Sequence, residues 1–128
     1  IDMQKLLNEA LQARKKAYAP YSGFFVGAAV QTKNGNIYTG CNIENASYGA
    51  TVCAERVAIF QAIAQGETEL EKIAVAAAGD ITPPCGLCLQ VMREFGIKTV
   101  YLINTANKWR SYTLTELLPI SFGPHNLE

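Results

Sequence analysis

The sequence predicts a three-layer α/β/α fold, with a mixed central sheet of about five strands between helices. Three observations predict it. The chain opens on an amphipathic helix; an Asn-Gly turn joins two apolar runs into a hairpin; and two strand–helix–strand units follow. Long crossovers favour parallel pairing, so a sheet that also contains a hairpin is mixed, with helices on both faces.

Each element has a local reason. Met3, Leu6, Leu7, Ala10, Leu11 and Ala17 recur at i, i+3, i+4, i+7, i+8 and i+14, one helical face, with Asp2 as cap and Pro20 as stop. Phe24 to Thr32 and Asn36 to Cys41 flank Lys33-Asn34-Gly35, a hairpin pattern. Asn42 to Ala50 is small and polar, hence a loop. Val52 to Gln65 is a helix, with Val57, Ala58, Phe60, Ala62 and Ile63 apolar and Gly66 at C′. Lys72 to Ala78 reads as a strand, Gly79 to Pro84 as a loop, and Gly86 to Phe95 as a helix stopped by Gly96. Lys98 to Ile103 is a β-branched strand, Asn104 to Lys108 a turn, and a short strand lies near Trp109 to Thr113. Thr113 and Glu116 form a capping box for a last helix to Leu118.

The length of 128 residues corresponds to one domain, residues 1–128. Hydrophobic residues at 49% and charged residues at 17% are globular proportions. Eleven Lys+Arg balance eleven Asp+Glu, which argues against an electrostatic grip on a long nucleic acid. Apolar runs break well before the ~18–20 residues of a membrane span, and no basic segment followed by an apolar core opens the chain. A cytoplasmic protein is expected. Its four cysteines, Cys41, Cys53, Cys85 and Cys88, are then free thiols or metal ligands rather than disulfides.

Pro84-Cys85-Gly86-Leu87-Cys88 places two thiols three apart at a helix start, where both can reach one ion, and Gly86 allows close backbone approach. A redox pair, a structural zinc knuckle or two buried cysteines fit that motif equally. Cys53, at the other helix start, supplies a third thiolate. No fourth Cys is suitably placed, and the sole histidine, His125, lies in the tail. Three ligands leave a position open for water, as in catalytic zinc sites. Glu55 can flank that water and carry its proton; a plainer role is to stabilise the helix dipole. Thiolates gather negative charge, which two helix N-termini and Arg56 can offset; Arg56 is otherwise a solvent-facing helix residue. A Cys₃ zinc, a non-ligand Glu and P-C-x-x-C form the known pattern of zinc nucleobase deaminases, which this sequence matches rather than derives.

The match extends along the chain. Residues 19–29 (APYSGFFVGAA), 40–49 (GCNIENASYG), Cys53-Ala54-Glu55-Arg56, 84–88 (PCGLC), Glu116 to Pro119 and Phe122-Gly123-Pro124 resemble the small homotetrameric cytidine deaminases over nearly the whole length. The resemblance implies one zinc per chain on Cys53, Cys85 and Cys88. It also implies Glu55 as proton shuttle to a zinc-activated water that attacks C4 of cytidine or 2′-deoxycytidine. Asn42 and Glu44 would hold the ribose 3′-hydroxyl, Phe24 would pack near the pyrimidine, and the Ala54 backbone would read the base. Phe122 would reach a neighbouring subunit's site, which makes the homotetramer part of the active unit. From the residues alone, Glu44 can be a solvated loop acid, Asn42 an Asx turn, and Phe24 a core residue. Cys41 reads as a buried small hydrophobe, and Trp109 and the tyrosines as core or interface. Leu89 stands where the family usually has Arg after the last Cys, which leaves Arg56 as the nearest cation in sequence to a ligand. A modified cytosine nucleoside such as blasticidin S is the alternative substrate; Asn42-Ile43-Glu44 favours plain nucleosides.

Overall fold

The computed structural model describes residues 3–128, so the proposed cap Asp2 lies outside the described residues. Helix α1 (Met3–Arg14) precedes the hairpin β1 (Val26–Thr32) and β2 (Ile37–Cys41), then α2 (Ala54–Ala64) and β3 (Leu70–Ala77). Next come α3 (Gly86–Glu94), β4 (Thr99–Asn104), β5 (Trp109–Thr113) and the one-turn α4 (Leu114–Leu117). Short 3₁₀ turns cover Tyr48–Ala50 and Pro124–Leu127.

The strands order as β2-β1-β3-β4-β5. β1 pairs antiparallel with both β2 and β3, β3 with β4 parallel, and β4 with β5 antiparallel. The sheet is therefore mixed, with five strands, as expected. The period of two along each central strand divides its apolar side chains between two layers. Ala29, Ala74, Ala76, Tyr101 and Ile103 meet Leu6, Leu7 and Ala10 of α1. Ala28, Val30, Ile73, Val75, Val100 and Leu102 meet Ala58, Ile59 and Ala62 of α2 and Leu89 and Met92 of α3. Burial on both faces is why these strands read as continuous apolar runs rather than alternating ones.

Several boundaries differ from expectation for local reasons. α1 ends at Arg14, and Pro20 does not stop it: Tyr18 already donates its N–H to the Asn42 carbonyl and bridges to Ile43. β1 starts at Val26, because the Asn42 amide, rather than a strand, takes the Phe24 carbonyl. α2 starts at Ala54, because Val52 is held extended against Ile43. The hairpin turn and the Thr113–Glu116 capping box form as expected, with Gly35 at φ 89°. Trp109 is exposed, its ring edge-on to Tyr101 at 6.2 Å. Cys41 is half-buried rather than buried, and partial burial pushes its thiol pKa up.

Gly40 decides how close α2 comes to the sheet. A Cβ there would overlap backbone atoms of Ala54 and Ala58, so only glycine lets the start of α2 rest on β2. At the opposite end of α2, Glu67 collects donors from the hairpin: Tyr38 Oη at 2.6 Å, Asn36 Nδ2 at 3.0 Å and Asn34 Nδ2 at 3.4 Å. The Tyr38 hydroxyl above all, then Asn36, hold its carboxyl down to about 2. A depressed carboxylate pKa stabilises the fold above the unfolded pKa, near 4.5, and that stabilisation fades as pH falls towards 2. Glu67→Gln is therefore expected to lower the melting temperature at pH 7 and to flatten the acid side of the stability curve between about pH 4.5 and 2. Melting curves across that range check it; an unchanged acid slope would count against the assignment.

Candidate active site

Two helix starts meet beyond the carboxyl end of β3, where open α/β sheets place their ligand crevices. Cys53 caps α2 and Cys85 caps α3, both in extended conformation (ψ 154° and 167°), and neither side chain caps its helix by a hydrogen bond. Their thiols are thus free to turn towards each other. Cys88, in the first turn of α3, is fully buried; Cys53 is half-buried and Cys85 exposed. All three sulfurs lie within 4.8 Å of one another, and Cys53 Sγ stands 3.8 Å from Cys85 Sγ. Tetrahedral zinc with bonds of about 2.3 Å sets its sulfurs about 3.8 Å apart, so the cluster fits that ion. Gly86 does not act as expected: a Cβ there would meet open space, so close backbone packing does not explain it.

The surroundings suit an anionic centre. The N-termini of α2 and α3 both converge on the sulfurs with their positive ends. Arg56 Nη2 donates to Cys53 Sγ at 3.6 Å, and its Nε is buried with no hydrogen-bond partner among the described residues. A stranded guanidinium donor costs least beside concentrated negative charge. The contact with Cys88, then that with Arg56, holds the Cys53 thiol down to about 5, while Cys88 is raised in turn by Cys53 and by burial. Leu89 is buried with Met92 in the core, which accounts for an apolar residue at that position.

Glu55 is 5% exposed, and burial above all pushes its carboxyl up to about 7, with Cys53 adding to the rise and Arg56 opposing it. It does not join the sulfur cluster as a fourth ligand. It lines a cavity of about 210 Å³ together with Cys53, Ala54 and Cys85, walled by Phe24, Asn42, Val75 and Pro83 among others. Thr51 links this cavity to a second, of about 370 Å³, lined by Tyr21, Ser22, Glu44, Asn45 and Tyr48.

Most of the expected site residues come together here. Phe24 is partly exposed at the cavity and is not core. Asn42 is buried; its Oδ1 accepts from the Val26 N–H and its Nδ2 donates to the Phe24 carbonyl, which ties the loop to β1 and leaves one donor and one lone pair over. Glu44 accepts from the Tyr21 and Ser22 backbone N–H groups and, through a short bond, from the Ser22 hydroxyl; that hydroxyl chiefly lowers its pKa. Phe122 lines neither cavity of its own chain and is 58% exposed. Tyr21 and Tyr48, read from sequence as core or interface, are not core; they wall the second cavity with rings edge-on at 6.1 Å. The available signal is a tyrosine within a loop of small polar residues.

Three cysteine sulfurs that fit one zinc ion, beside a cavity lined by a buried carboxylic acid, are the equipment of a zinc-dependent hydrolytic enzyme. The chain belongs to the cytidine and deoxycytidylate deaminase family, whose zinc-binding-region model matches residues 1–104. It is 49% identical to a cytidine deaminase of Halalkalibacterium halodurans over 130 aligned positions, 99% of this chain and 98% of that protein. Its identity to a cytidine deaminase of Sporosarcina psychrophila is 44%, over 99% and 96% of the two chains. The crystal structure of cytidine deaminase from Burkholderia pseudomallei superposes with a TM-score of 0.91 at 44% identity, covering 95% of this chain and all of that one.

Proposed function

We propose that this protein hydrolytically deaminates cytidine and 2′-deoxycytidine to the uridines and ammonia, in salvage of pyrimidine nucleosides, with one zinc per chain. The observation that carries this is the pair of linked cavities. One is lined by Cys53, Cys85 and Glu55; the other holds Glu44 among polar loop residues, as a base and its sugar require.

Zinc, when bound, supplies acidification of a water and stabilisation of charge at the reacting carbon. Glu55 takes one proton of the attacking water and delivers it to N3 of cytosine, then takes the remaining proton from the new C4 hydroxyl and passes it to the amino group, which leaves as ammonia as the C4 carbonyl forms. A carboxyl held near neutral pKa suits a group that must both accept and give. Phe24 packs on the pyrimidine, the Ala54 backbone in the first turn of α2 reads the base, and the remaining capacity of Asn42 and Glu44 binds the 3′-hydroxyl. Phe24, Val75 and Pro83 give the cavity an apolar wall, which limits the water around the base.

Arg56 tunes the sulfurs. Arg56→Ala is expected to weaken zinc retention about 10- to 100-fold in chelator competition, the usual range for partners of metal ligands. Normal zinc content and normal competition in that variant would remove the role.

The described helices include none long and apolar enough to cross a membrane. We read residues 1–128 as one cytoplasmic domain that assembles as a homotetramer. Supporting assembly, Ile120, Leu127, Tyr48 and Phe122 leave large apolar groups in solvent, and a partner chain would cover them. Phe122 then completes a neighbour's site. The function is tested by following the cytidine absorbance band with zinc assayed on the same sample. Turnover with about one zinc per chain, abolished by chelation, is expected; zinc without turnover on either nucleoside overturns the substrate.

A further inference from the structure

We propose that Arg93 and Gln90, on the exposed side of α3, are positioning residues for Phe122, fastening the tail so that its ring is presented outward in one pose. The proposal rests on the reading above that Phe122 completes a neighbouring subunit's site.

Four tail residues are gripped from one helix face. Gln90 Nε2 donates to the Phe122 carbonyl at 2.9 Å. Arg93, one helical turn on, donates from Nε to Ser121 Oγ at 3.2 Å, and its Nη2 lies 3.1 Å from His125 Nδ1. A guanidinium can only donate, so Nδ1 accepts and a neutral His125 ring carries its proton on Nε2. Gly123 lies flat against the guanidinium: a Cβ there would stand 2.7 Å from Arg93 Cζ and Nη2. Its φ of −151° is ordinary extended backbone, so a side chain there meets no backbone strain and acts only by displacing the guanidinium. Gly123 N–H also donates to Asn126 Oδ1 at 2.8 Å, which closes the tail's own turn.

These contacts hold the backbone on both sides of Phe122 while its ring stays 58% exposed. An aromatic left in solvent on a fixed backbone suits a group that buries in something other than its own chain. Fixing it beforehand lowers the ordering cost of that contact. α3 is also capped by Cys85 and carries Cys88, so one element bears two metal ligands of its own site and aims a ring at another. The competing role is a tether that only stabilises the fold.

The test uses the full-length, zinc-loaded enzyme and reads kcat and KM for cytidine, zinc content and melting temperature for Arg93→Ala, Gly123→Ala, Phe122→Ala and Arg93→Ala/Phe122→Ala. Gly123→Ala displaces the guanidinium without deleting it, and so covers the case in which Arg93→Ala folds poorly. Arg93→Ala and Gly123→Ala are expected to raise KM roughly 5- to 20-fold, with zinc content unchanged and kcat altered less than KM. Once Phe122 is Ala, adding Arg93→Ala should cost less than about 2-fold more, because the two act through one contact. Full additivity, or a wild-type KM in both Arg93→Ala and Gly123→Ala while Phe122→Ala raises it, overturns the positioning role alone. A wild-type KM in Phe122→Ala overturns the shared-site reading and the positioning role with it.

Discussion

Glu55→Ala is expected to keep its zinc and lose turnover by about 10²–10⁴-fold or more, the range for removing a positioned general acid–base. Zinc should stay because the sulfur cluster forms from Cys53, Cys85 and Cys88 without the carboxylate. Stability should not fall, because the change removes a buried acid held against a desolvation penalty. Glu55→Gln is the sharper variant: it keeps the shape and hydrogen-bonding edge but cannot carry the proton. Single-turnover rates on the zinc-loaded variants check both, and a Gln variant with more than a tenth of wild-type activity would end the shuttle role. Loss of zinc in either variant would instead make Glu55 part of the metal's support.

The metal site was legible because its signal is local in each half. The Pro84–Cys88 motif fixes two sulfurs within one helical turn, and Cys53-Ala54-Glu55 repeats the same N-cap device on α2. What spacing could not supply was the meeting of the two halves, which depends on the sheet: the crossover from β2 to β3 and the glycine at position 40 bring α2 down beside α3. The layers were legible for the same reason the strands are apolar throughout, since Ala74 and Val75 must each face a helix layer. Boundaries were less so. Tyr18 and Val52 look like helix to a periodicity argument, yet both pair with Ile43, a tertiary contact that no local pattern announces. The walls of the second cavity were hidden in the same way. Tyr21 and Tyr48 lie in separate loops, and only the folded Glu44 loop sets them side by side. The grip of α3 on the tail is likewise non-local, joining residues 32 positions apart.

Cys88→Ala should abolish both activity and zinc binding, and it should do so with a distinctive stability pattern. Cys88 is the buried member of the cluster, packed on the core side where Ala58 and Met92 lie in the same apolar layer, so Ala is tolerated sterically there. The remaining pair, Cys53 and Cys85, is half-buried and exposed, and two thiolates alone hold zinc poorly. Zinc in the intact protein joins two helix starts 32 residues apart, so it binds the folded chain and not the unfolded one. Such a ligand at 100 times its Kd adds about 2.7 kcal/mol, or roughly 10 °C in melting temperature for a domain of this size. The wild-type melting temperature should therefore drop by about that amount on chelation, and that of Cys88→Ala should not respond to chelator at all. A variant that retains about one zinc per chain and still melts lower with chelator would show that Cys88 is packing and not a ligand. The open position on the metal would then have to be counted again.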